Sequence, residues 1–237
     1  MIGRLAGGAF LPLVAALMVL DLYLIFIHAP VATADHRFNL QRILYFHVGI
    51  AWVSLIAFAV IFVASLVYLW RRDSRWDALA HSAAEVGFVF ASLVLITGSL
   101  WGKGIWDRWW TWEPRLTTML ILWLIYVAYL MLRSFASNPN QAARFSAVLG
   151  IIGFIDVPII YFAANWWRGL HPEVVSGPLA DTGSLDPTMR WVMLFTALVF
   201  TLLFSYLVKE RMSVRSMEDT LRRAKYTLGA GLGRRRL

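Results

Sequence analysis

Six apolar runs, at residues 9–28, 46–70, 83–101, 116–132, 145–164 and 191–208, constrain this chain more than any other feature. A helix that crosses about 30 Å of hydrocarbon needs about 20 apolar residues, and each run comes close to or exceeds that length. The expectation is an all-α integral membrane protein, a bundle of about six transmembrane helices. Charge supports it: only 15% of the 237 residues are Asp, Glu, Lys or Arg, against about 25% in soluble domains. That leaves too little polar surface to cover a globule in water. Residues 1–208 are read as one transmembrane domain and 209–237 as a basic tail.

An even number of crossings puts both termini on one side. The connections alternate in charge, and 15 of the 22 basic residues fall on one side: Arg4, Arg71, Arg72, Arg75, Arg133, Arg144 and the nine from Lys209 onward. The other side holds Arg37, Arg42, Lys103, Arg108, Arg115, Arg168 and Arg190. Excess Lys and Arg marks the cytoplasmic side, so both termini are expected there, with outer loops at about 29–45, 102–115 and 165–190. The net charge of +8 is thus a topology signal rather than a nucleic-acid footprint, and the tail suits anionic lipid. Near the N-terminus Ala32-Thr33-Ala34 resembles a cleavage site. The preceding apolar run exceeds the 7–15 residues typical of a signal peptide, so it is read as a retained first helix.

Within the helices, Ala83, Gly87 and Ala91 form a stripe of small residues on which another helix can pack closely. Asp21 and Asp156 lie in apolar surroundings, where an acid costs about 2.5–3.5 kcal/mol to insert; a structural role is expected for both. Pro158 has no N–H for the Phe154 carbonyl, so a bend is expected in the fifth helix.

The chemistry concentrates in one outer segment, Trp101-Gly-Lys-Gly-Ile-Trp106-Asp-Arg-Trp109-Trp110-Thr-Trp112-Glu113-Pro-Arg115-Leu. Five of the twelve tryptophans fall in these sixteen residues, and Trp166 and Trp167 lie in the last outer loop. An interfacial belt would spread over both membrane surfaces. Clustering suggests a platform for a large flat ligand, since aromatic pairs contribute about 0.5–1.5 kcal/mol beyond area burial. Of the five histidines, topology puts His81 inside and His28, His36, His47 and His171 at the outer side. Neutral imidazole is a good iron ligand. Lys103, Arg108, Arg115 and Arg168 lie near the tryptophans in sequence, where guanidinium can pair with carboxylates. The absence of cysteine leaves no thiolate metal site and no C-x-x-C-H for covalent haem attachment.

The Trp101–Leu116 segment resembles the tryptophan-rich "WWD" segment of haem-handling membrane proteins. Tyr45-Phe46-His47 before Trp52, and Ile155-Asp-Val-Pro-Ile-Ile160 leading to Trp166-Trp167 and His171, are similar to the haem exporter protein C family, also called cytochrome c maturation protein C. The resemblance runs from about Arg42 to His171. It implies non-covalent, transient binding of haem b, with His47 and His171 as axial ligands and Trp101, Trp106, Trp109, Trp110 and Trp112 as the platform. Arg108, Arg115 and Arg168 join them as candidate haem-binding residues. It further implies a bacterial inner membrane location and transfer of haem to a periplasmic haem chaperone, cytochrome c maturation protein E. ABC transporter subunits and a small membrane subunit are the other implied partners. In place of the usual Asp the sequence has Glu113 followed by Pro114, a pairing closer to the related cytochrome c synthases.

Rival functions have less support. A pore would need polar residues along a path through the bilayer, and little besides Asp21 and Asp156 is available. No Walker motif is present. No nucleophile or acid–base pair points to an enzyme. A haem-binding chaperone ranks first, a haem-translocating channel subunit second and a synthase-like enzyme third.

Overall fold

The computed structural model describes residues 2–31, 40–136, 138–167, 169 and 186–234. These fold as α1 (Ile2–Tyr23) continuing into a π-helical turn (Leu24–His28), α2 (Gln41–Arg71), α3 (Ser74–Trp106), α4 (Pro114–Phe135), α5 (Pro139–Gly153), α6 (Asp156–Trp166) and α7 (Pro187–Arg234). No strand occurs among the described residues. Six spans are long and apolar enough to cross a membrane, with α5 and α6 sharing the fifth, Pro139–Ala163. The protein is an all-α, multi-pass membrane protein.

Much of the apolar surface points outward. Val19, Val63, Leu93, Leu124 and Leu198 are exposed, as expected where lipid rather than protein solvates the outer faces. The interior is organised around α2, which packs on α3, α5 and α7, while α1 rests chiefly on α7. Ala83 and Ala91 are fully buried. A Cβ on Gly87, between them, would lie 2.8 Å from Ala57 Cβ and 2.8 Å from the Tyr126 hydroxyl. The small stripe is therefore where α2 and α4 close on α3. Gly87→Val is expected to destabilise the bundle by about 1–3 kcal/mol through overpacking, read as a lower unfolding midpoint of the detergent-solubilised protein.

Several helices outrun the bilayer. The 33 residues of α3 span about 50 Å at a rise of about 1.5 Å each. Its C-terminal turns therefore carry Trp101 and Trp106, which the sequence suggested were part of a loop; the connection to α4 is only residues 107–113. At the opposite, basic end, the first turns of α3 supply anchors for two other helices. Arg133 of α4 makes a two-pronged pair with Asp77, at 2.7 and 2.8 Å, and donates to His81 Nδ1 at 3.0 Å. Arg211 of α7 grips Glu85 at 2.6 and 2.9 Å. Past Val208, α7 continues unbroken to Arg234.

The fifth crossing breaks as Pro158 requires, but the freed carbonyl is not left unpaired. Val157 N–H donates to the Phe154 carbonyl at 3.1 Å, and Ile155 N–H to that of Ile152 at 3.1 Å. Two i→i−3 bonds thus replace the missing i→i−4 bond and set off α6 from α5. Asp21 has a structural partner as well: the Thr196 hydroxyl donates to it at 2.7 Å, joining α1 to α7.

Candidate functional site at the tryptophan end

The end of the bundle opposite the Asp77–Arg133 pair gathers His47, the C-terminal turns of α3, the start of α4 and the end of α6. His47 lies in the second turn of α2. Its Nδ1 is 2.9 Å from Thr97 Oγ1 on α3. Beside Thr97, Gly98 has no side chain, and a Cβ there would sit 3.0 Å from His47 Cε1. The imidazole thus lies against the α3 backbone. Trp101 follows Thr97 by four residues and so shares its face of the helix. A histidine from α2 and the first tryptophan of the aromatic segment are placed by the same stretch of α3.

Beyond Trp106 the chain reverses. Asp107 takes up a left-handed conformation, φ 57°, and a Cβ on Gly102 would meet the Arg108 carbonyl at 3.2 Å. Glycine at 102 leaves room for the loop to fold back closely onto α3. Lys103 Nζ pairs with Asp107 at 2.5 Å, so this lysine closes the helix end. Pro114 then starts α4 at a position where its missing N–H is no loss.

The tryptophans form edge-to-face pairs rather than one flat stack. Trp101 and Trp106 have ring centres 5.1 Å apart at 79°, and Trp110 and Trp112 are 5.8 Å apart at 79°. At the end of α6, Trp166 stacks on Phe162 at 5.1 Å and meets Trp167 edge-on. Trp109 is 59% exposed and Trp112 76%, so their faces are open to a ligand, and Trp166 and Trp167 are exposed as well. Arg108 is exposed. Arg115, in the first turn of α4, lies within electrostatic range of His47, Glu113 and Tyr161.

Among the described residues, the buried Trp110 indole N–H and the hydroxyls of Thr111 and Tyr161 find no hydrogen-bond partner. Each such group costs about 1–3 kcal/mol if left unmet. Beside Arg115 they are suited to a polar or anionic group on a bound molecule. A histidine with one nitrogen held, open indole faces, unmet donors and a guanidinium together match what a haem with two carboxylates requires. No three His, Asp or Glu side chains among the described residues converge as a metal-ion cluster would need.

Gly169 lies at the same place: a Cβ on it would be 2.5 Å from Glu113 Oε2. Glu113 makes no side-chain cap to its own helix. His171 and Arg168, two of the residues singled out from the sequence, fall outside the described residues, as does His36. His28 ends the π-helical turn and is exposed.

A family model described as "Heme exporter protein C" matches residues 3–227 of this chain. The chain belongs to the haem exporter protein C family. Its relatives of that name include a Bradyrhizobium diazoefficiens protein, 38% identical over 195 residues covering 82% of this chain and 74% of the relative. The Escherichia coli K12 protein is 35% identical over 182 residues, 76% of this chain and 73% of the relative. The Paracoccus denitrificans protein is 34% identical over 177 residues, 73% of each. The Glu113-Pro114 pairing therefore occurs in a haem exporter protein C chain and does not assign it to the synthases. Four residues of the candidate site in this haem exporter protein C family member, Thr97, Gly98, Tyr161 and Gly169, escaped sequence reasoning. Each acts across a helix–helix or loop–helix contact and lies in a segment that otherwise reads as ordinary helix or loop.

Proposed function

We propose that this chain handles haem for cytochrome c maturation by presenting it at the outer face of a bacterial inner membrane and passing it to a periplasmic haem chaperone. The observation that carries this reading is the shared end of the bundle. His47, the open Trp109 and Trp112 rings, Arg115 and the unmet donors of Trp110, Thr111 and Tyr161 all belong to it. In this reading His47 and His171 ligate the iron of haem b from opposite sides. Trp101, Trp106, Trp109, Trp110 and Trp112 bear on the porphyrin, and Arg108, Arg115 and Arg168 meet its carboxylates. The role is binding and transfer rather than catalysis. The family name supports a place in a haem export system; ABC transporter subunits, a small membrane subunit and cytochrome c maturation protein E as acceptor are the proposed partners.

The orientation that the proposal requires has a direct test. The basic end, with 15 of the 22 Lys and Arg, belongs in the cytoplasm by the positive-inside rule. Reporter fusions after Ser74 and Asn138 are expected to be active only as cytoplasmic reporters, and fusions at Asp107 and Asp181 only as external ones. An external reporter at Ser74 would place the tryptophan end on the wrong side for delivery to a periplasmic acceptor.

A further inference from the structure

Thr97 does more than fill space beside His47. Its Oγ1 lies 2.7 Å from the Leu93 carbonyl of its own helix and 2.9 Å from His47 Nδ1. A hydroxyl has one hydrogen and two lone pairs. The shorter contact, to the Leu93 carbonyl, is the one that takes the hydrogen. The oxygen then faces His47 as an acceptor, which fits a proton on Nδ1. Nε2 is left with a bare lone pair, although the tautomer that free histidine side chains favour is the opposite one. Gly98 completes the seat: a Cβ there would be 3.0 Å from Cε1, 3.7 Å from Nδ1 and 3.8 Å from Nε2. The helix backbone thus bears on Cε1, and the Thr97 hydroxyl alone distinguishes the two nitrogens.

We infer that Thr97 is a positioning residue that selects the Nδ1–H tautomer of His47 and thereby makes Nε2 the nitrogen offered to haem iron. The inference rests on the proposed role of His47 and adds the group that prepares it. A hydroxyl that accepts from Nδ1 while donating to a carbonyl also makes the imidazole a stronger electron donor, as outer partners of ligating histidines do. Such partners typically contribute about 10- to 100-fold in metal affinity.

Two measurements on the full-length protein in detergent test this. Nitrogen-15 NMR of the histidine-labelled, haem-free protein, with the His47 signals assigned by their loss in His47→Gln, is expected to show a protonated Nδ1 and a bare Nε2. Thr97→Val, which keeps shape and removes the acceptor, is expected to release the ring to the other tautomer, and Thr97→Ser to restore the first. Titration with haemin is expected to give about 10- to 100-fold weaker binding for Thr97→Val, with a shifted reduction potential, and near-wild-type values for Thr97→Ser. A wild-type His47 protonated on Nε2 would overturn the inference whatever the haem affinity. So would a Thr97→Val protein with unchanged tautomer and potential. If the tautomer follows Thr97 as expected but haemin binding ignores both Thr97→Val and His47→Gln, the role of His47 as a ligand fails, and the link to iron fails with it.

Discussion

Replacing Trp109, Trp110 and Trp112 together by Ala is expected to abolish stable haemin binding while leaving insertion and folding intact. All three lie in the short connection between α3 and α4, outside the packed core of the bundle. Trp109 and Trp112 are open to solvent, so their removal leaves little cavity. Three ring contacts at about 0.5–1.5 kcal/mol each amount to about 1.5–4.5 kcal/mol, or about 10- to 10³-fold in affinity. The unmet Trp110 N–H would add the loss of a hydrogen-bond donor. The check is a haemin titration beside a thermal unfolding curve on the same purified variant. Full haem content in the triple variant would return these tryptophans to the role of an interfacial belt.

The second large effect belongs to the histidines. His47→Ala removes a side chain that bridges α2 to Thr97 and Gly98 of α3, but the two helices also pack together along much of their length. The bundle is therefore expected to fold, and the loss to fall on the iron. Each of His47→Ala and His171→Ala is expected to leave haem held by one histidine and the aromatic platform, with weaker binding and altered spectra. The double replacement is expected to leave little bound haem. For His47→Gly, added imidazole is expected to recover part of the binding, because a small free ligand can occupy the emptied space. Recovery would separate loss of a ligand from loss of structure.

The crossings were legible in the sequence because bilayer thickness sets the length of an apolar run, and six runs met it. Their ends were less legible. Counting apolar residues stops at the first charges, whereas α3 begins at Ser74 and runs on to Trp106, and α7 continues past Lys209. Headgroups and water solvate those turns, and pairs such as Asp77–Arg133 and Glu85–Arg211 hold them. Pro158 announced the break before α6; the i→i−3 bonds that rescue it depend on local backbone geometry that no residue type signals. The π-helical turn at Leu24–His28 likewise had no sequence signature. Arg42 of α2 donates to the Phe26 carbonyl within it, and Gln41 to the Pro30 carbonyl just beyond it, at 2.8 Å. At the site, His47 and the tryptophans stood out by type and clustering. Thr97 did not, since a threonine in an apolar run satisfies itself on its own helix and its second contact lies 50 residues away in sequence.

The central claim, that His47 and His171 hold haem iron at the tryptophan end, is tested most directly by absorption spectra of the haemin-loaded protein, oxidised and reduced. The series comprises the wild type and the four single replacements His28→Ala, His36→Ala, His47→Ala and His171→Ala. The account predicts that the Soret and reduced-state bands shift in His47→Ala and in His171→Ala and remain at their wild-type positions in the other two. Unshifted bands in both His47→Ala and His171→Ala, with shifts in His28→Ala or His36→Ala, would contradict it.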